Sequence, residues 1–147
     1  MAFHFSLQAV LRVRIGYENV ERLRLLAFAA LMVRTRGEIE ALDKESANAR
    51  ESMRRMLSAG VAGVEMHVES VCERVRAEHR RALEARLEEL RKKQEKQRMI
   101  YLLARQKREI LENLRERKLA EYQKEQARKE QQTLNDLFVL RAGRTQD

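Results

Sequence analysis

His67, Cys72 and His79 are metal-ligating residue types gathered in one short stretch of the sequence. A closed zinc site takes four ligands converging tetrahedrally on one ion. Cys72 and His79 are spaced to share a helix face, but two groups that far apart do not make a compact site. His67 fits the helical spacing to Cys72 poorly. Adjacent carboxylates such as Glu88 and Glu89 could serve acid–base chemistry only in a shaped, desolvated pocket that shifts a pKa. No phosphate-cradling glycine loop, paired-cysteine motif or Gly-x-Ser-x-Gly elbow occurs. These residues predict no catalytic site, no metal, no cofactor and no enzyme activity.

The elements that position them are helices. Of 147 residues, 37% are charged and 5% aromatic, with no tryptophan and no proline. Rich Ala, Glu, Lys, Leu, Arg and Gln content at helical spacing marks long helices or coiled coil. Such a chain covers one stripe per helix but not an all-round core. The net charge of +8 suggests an anionic partner. Yet Glu alternates with Arg and Lys almost throughout, as in RVRAEHRRALEARLEELRKKQEK, which describes a solvated, self-pairing helix face. A nucleic-acid binder would show sign-pure basic stretches, so no nucleic acid is expected.

Ser6 can cap a first helix whose apolar positions are Leu7, Val10 and Leu11. The stripe continues through Tyr17, Val20, Leu23, Ala27, Ala30 and Leu31. It thins at VRTRGE and resumes at Ile39, Leu42, Ala49, Met53 and Met56, with the helical period throughout. A second stripe begins with Val64, Val68, Val71 and Val75. It then follows a heptad-like series through Leu83, Leu87, Leu90, Gln94, Gln97, Tyr101 and Ala104. The two four-residue steps from Val75 through His79 to Leu83 resemble a stutter.

Between the stripes lies MLSAGVAGVE, holding two of the five glycines. Gly60 suits a helix C′ position in the left-handed conformation, with Val61 against Met56. Gly63 can cap the next helix, with Glu65 in its first turn. The expected architecture is all-α: one domain, a long two-helix antiparallel coiled-coil hairpin. Its helices span 6–58 and 64–138, with a turn at 59–63 and a frayed tail at 139–147. Counting outward from the turn sets Leu42 level with Arg81, Leu23 with Ile100 and Leu7 with Glu116. The second helix is longer and overhangs by roughly 20 residues, about 30 Å. Its apolar end, Leu134–Leu140, is either a docking site or padding for Phe3 and Phe5.

The opening F-x-F-x-L-Q-x-V-L-x-x-R (Phe3, Phe5, Leu7, Gln8, Val10, Leu11, Arg14), then Glu18 and LLAFAAL, resembles the flagellar export protein FliJ family. The break near residue 60 falls where that family turns. LENLRERKLAEYQKEQARKEQQTLND is similar to its C-terminal pattern, with Leu114, Glu116, Arg117, Tyr122, Glu125, Arg128, Glu130, Gln131 and Leu134. Asn135–Asp136 departs from the two acids the family often carries there.

The resemblance implies a stalk of the type III flagellar export apparatus, an antiparallel coiled coil similar to the central shaft of rotary ATPases. It implies binding to the hexameric export ATPase and to the cytoplasmic part of the membrane export gate; some members escort export chaperones. On that picture the ATPase-ring contacts are Leu7, Leu11, Arg14, Arg128, Leu134, Leu137 and Phe138. The gate contacts are Leu42, Ala49, Met53, Val68, Val71 and Val75. Rival readings are the equivalent stalk of a virulence type III secretion system, a basic nucleic-acid-binding coiled coil, and a homodimeric coiled coil. Cys72 is the only cysteine, which fits a reducing compartment. The longest apolar run, LLAFAALMV, is too short for a membrane span, and MAFHFSLQAVLRVRIG lacks the features of a signal peptide. The expected place is the cytoplasm, peripheral to the inner membrane at the flagellar base.

Overall fold

A computed structural model describes residues 2–144 of the chain. Two helices account for nearly all of them: α1 (Gln8–Ala59, 52 residues) and α2 (Gly63–Arg144, 82 residues). They pack against each other, α2 is the longer, and no strand occurs among the described residues. α2 continues as helix past residue 138 to Arg144, so residues 139–144 of the expected tail are helical; 145–147 lie outside the described residues. No proline or glycine interrupts LNDLFVLRA, and Arg141 and Arg144 sit in the last turn, where cations favour the helix C-terminus.

The helix ends differ from expectation in detail. Gln8 N–H donates to Phe5 C=O at 3.1 Å and Leu11 N–H to Leu7 C=O at 2.9 Å. The chain therefore makes a backbone turn before the helix, and Leu7 rather than Ser6 occupies the capping position. At the hairpin turn Gly60 takes φ 87°, the left-handed region where a side chain would clash with its own backbone. Its N–H donates to Leu57 C=O at 3.4 Å, closing the end of α1 as a C′ glycine does. α2 begins one residue earlier than expected. Ala62 C=O accepts from Glu65 N–H at 3.1 Å and Met66 N–H at 3.4 Å, so Ala62 caps and Gly63 is already helical.

The described chain divides into two compact units. One holds residues 20–101, including the turn. Here α1 presents Glu21, Leu25, Phe28, Met32, Thr35, Ile39, Leu42, Ser46, Ala49 and Met53, all buried or half-buried. Their steps alternate four and three without a break, the coiled-coil period. α2 answers with Arg76, Arg80, Leu83, Leu87, Leu90, Gln94, Gln97 and Tyr101 at the same spacing. Asp43 meets Arg80 at 2.7 Å, and Arg50 meets Glu73 at 3.3 Å. Both pairs follow the antiparallel register counted from the turn. The other unit holds residues up to 19 and from 102. Phe5 and Leu11 are buried in it, and the Phe3 ring lies on Tyr122 with centroids 5.6 Å apart.

Two parts of the expected seam are overturned. Tyr17, Val20, Leu23 and Leu31 of α1 are exposed, as are Val64, Val68, Val71 and Val75 of α2. No stutter is needed at Val75–Leu83, because the valines never belong to the seam. They lie opposite it, while Glu69, Glu73, Arg76 and Arg80 continue the heptad of Leu83 and Leu90 toward the turn.

Polar residues inside the seam are satisfied. Gln97 is buried and its amide donates to Glu21 C=O at 3.1 Å and to the Glu21 carboxylate. Thr35 Oγ1, also buried, donates to Leu31 C=O at 2.9 Å. Arg108 pairs with Glu18 and Glu112. Arg108, half-buried, thus keeps acid partners on both helices.

Candidate functional site

With no chemical pocket in the sequence, a site on this fold is a surface that binding would cover. At the turn end, charge organises the seam. The Arg76 guanidinium donates to Glu73 at 2.8 Å and also reaches Glu69. Arg80 donates to Asp43 and pairs with Glu84. The Arg76 hydrogen bond, then that of Arg50, holds the Glu73 carboxyl below its ordinary range. The bonds to Glu73 and Glu69 raise the Arg76 guanidinium further, so this lattice stays ionised at neutral pH.

With charged residues filling its inward positions, this part of α2 turns its valines outward. Val64, Val68, Val71 and Val75 recur at steps of four, three and four on the face opposite the seam, each 41% exposed or more. Beside the seam a cleft of about 330 Å³ opens over Met53, Leu57 and Met66, rimmed by Arg50, Arg54, Glu69, Ser70 and Glu73. Of the expected gate residues, Val68, Val71 and Val75 are thus exposed together. Leu42, Ala49 and Met53 are half-buried in the seam. The six do not form one surface.

In the other unit the expected ring residues also divide. Leu11 is buried, and Leu7 and Arg14 are half-buried. Arg128 is exposed and pairs with Glu125 at 3.1 Å. Leu134, Leu137, Phe138, Val139 and Leu140 are all more than half exposed. The expected alternative, that this cluster pads Phe3 and Phe5, is not realised. Those rings settle at Leu114, Lys118 and Tyr122, leaving the last turns of α2 uncovered.

His67, Cys72 and His79 are exposed, and no group of three or more metal-ligating residues occurs among the described residues. Among those residues, no helix is long and apolar enough to cross a membrane.

The outer face of α1 is a surface that the expected seam hides, because Val20, Leu23, Ala30 and Leu31 are counted there as inward positions. The signal was present. The series through Phe28, Met32, Thr35 and Ile39 keeps its four–three spacing all the way from Glu21 to Met53, and it passes through polar residues that a hydrophobicity count discards.

Two long antiparallel helices with paired polar layers inside and uncovered apolar strips outside define a coiled-coil hairpin. The family model described as flagellar FliJ protein matches residues 3–146, nearly the whole chain. The chain belongs to the FliJ family, and so to the non-enzymatic components of flagellar protein export. Neither a curated protein nor a solved structure matches it significantly.

Proposed function

We propose that the chain is the stalk and adaptor of the flagellar type III export apparatus, joining the hexameric export ATPase to the cytoplasmic part of the membrane export gate. The observation that carries the reading is the uncovered end of α2. Leu134, Leu137 and Phe138 form an apolar strip on a stretch with no helix to lie against. An isolated helix of this length is marginal in water, and an uncovered apolar patch at its end marks a docking surface. The ring takes this strip together with Arg128. Leu7, Leu11 and Arg14 hold the neighbouring hairpin together rather than touch the ring.

The outward valines Val68, Val71 and Val75 are the gate contact, with Leu42, Ala49 and Met53 holding the helix behind them. An asymmetric stalk biases the states of a symmetric ring only through contacts that differ between its subunits. Its net positive charge speeds encounter with acidic ring or gate surfaces. The protein stands peripheral to the inner membrane at the flagellar base, and escorting export chaperones is a further part of this reading. The match to the flagellar family favours this machine over a virulence secretion system.

Co-purification of a tagged chain from motile cells tests the proposal. Leu137→Asp with Phe138→Asp should lose the ATPase and keep the gate. Val68→Asp with Val71→Asp should lose the gate and keep the ATPase. Retention of both partners by both variants would contradict it.

A further inference from the structure

α1 carries two heptad seams, and α2 occupies only one. The second lies on the outer face within the unit of residues 20–101. Leu23, Leu26, Ala30 and Val33 recur there at steps of three, four and three, the spacing of a coiled-coil contact line. Leu23, Leu26 and Val33 are 61%, 58% and 66% exposed. Val20 and Leu31 widen the strip and are exposed as well. Together these side chains make a contiguous exposed apolar strip, the kind of surface that is often functional on a monomer.

Charge says what covers it. Arg22 and Arg24 stand at one end of the strip, Arg34 and Arg36 at the other, and no acid lies between the two pairs. Arg24 pairs with Glu21 at 2.9 Å and Arg34 with Glu38 at 3.4 Å. Arg22 and Arg36 make no ion pair among the described residues. A second copy of the chain is a poor occupant. Packed antiparallel about Ala29, it sets Arg22 on Arg36; packed parallel, Arg22 and Arg34 meet only Ala27 and Ala29. Neither packing gives these arginines an acid to meet, so a second copy leaves their charge uncompensated. A lipid surface fits less well than a helix. The strip has no aromatic side chain, and the small Ala27 and Ala30 leave holes suited to a partner's knobs.

We propose that the outer face of α1 between Arg22 and Arg36 docks an amphipathic helix of a partner protein, apolar in the middle and acidic at both ends. The acids flank an apolar span of about 15 Å, the rise from Arg24 to Arg34. This inference is independent of the export reading. It rests on α1 alone and stands whichever machine the chain serves.

The probe is a synthetic helical peptide of about 18 residues with leucines at heptad spacing and a glutamate pair at each end. A control peptide carries lysine pairs instead. Fluorescence anisotropy with the full chain should show the glutamate peptide binding at least about tenfold more tightly, as a few exposed ion pairs acting together allow. Arg22→Glu with Arg36→Glu should reverse that preference. Leu26→Gln should weaken the glutamate peptide about tenfold, with helicity kept and the melting temperature within about 2 °C, because the side chain is already mostly exposed. Equal binding of the two peptides, or binding of neither, would overturn the proposal. So would a dimer in sedimentation equilibrium that Leu26→Gln dissolves, or binding to phosphatidylglycerol vesicles lost in the same variant.

Discussion

Leu90→Ala and Leu23→Ala remove the same atoms from two helices and should differ sharply in cost. Leu90 is 6% exposed in the seam, while Leu23 is 61% exposed on the outer face. Truncating a buried leucine loses its transfer energy and leaves a cavity, 2–5 kcal/mol in well-packed cores. A two-helix seam collapses more readily than a globular core, so about 3 kcal/mol is expected at Leu90. Leu23 buries only the smaller part of its side chain, worth about 0.8 kcal/mol at the usual rate for burial. Alanine's better helix propensity returns a few tenths of that, about 0.3 kcal/mol. The net cost at Leu23 is about 0.5 kcal/mol by these two terms. For a chain of this size the corresponding falls in melting temperature are about 10 °C and about 2 °C. Thermal and urea unfolding followed by circular dichroism measure both. Similar losses at the two positions would refute the seam, and with it the outer strip of α1.

Gly60→Ala should destabilise by about 1–2 kcal/mol, because Gly60 holds a φ of 87° that alanine adopts only with strain. Gly63→Ala sits in helical backbone with open space around it and should stabilise by up to about 1 kcal/mol; melting temperatures compare the two. Acid should weaken the hairpin. Hydrogen bonds from Arg76 and Arg50 lower the Glu73 carboxyl, and one from Arg91 lowers that of Glu88. The stability these groups contribute is complete above the ordinary carboxyl value of 4.5 and drains away as pH falls through their lower folded values. Melting temperature against pH should therefore decline on the acid side of that value, and Arg76→Gln should flatten the decline. Cys72 is exposed, so a maleimide should label it stoichiometrically in the native state without shifting the melting temperature.

The sequence made the turn legible because a single glycine in the left-handed conformation ends a helix unambiguously. Register was legible too. Once the turn is placed, helical rise sets the levels at which Asp43 meets Arg80 and Phe3 meets Tyr122. The middle of α2, Leu83 to Ala104, reads correctly because its contact line is largely apolar. The contact line of α1 does not. Glu18, Glu21 and Thr35 hold inward positions through paired charges and hydrogen bonds, while Val20, Leu23 and Leu26 face out. Hydropathy follows apolar residues whichever way they point. Where a helix has two apolar faces, the length over which the spacing persists says which is packed: Glu21 to Met53 for the seam, Leu23 to Val33 for the outer face. For the same reason the expected site residues scattered: Leu11 and Leu42 belong to the hairpin itself, whereas Val68 and Phe138 are free to meet a partner.

The central claim is that the uncovered end of α2 engages the export ATPase. Truncation after Lys124 tests it most directly, since it keeps Tyr122 under Phe3 and removes Leu134–Leu140. Steady-state hydrolysis by the cognate ATPase should rise with the full chain and stay at its basal rate with the truncated one. Circular dichroism should show the remaining hairpin still helical and melting as before. Full stimulation by that truncated, folded hairpin would contradict the account.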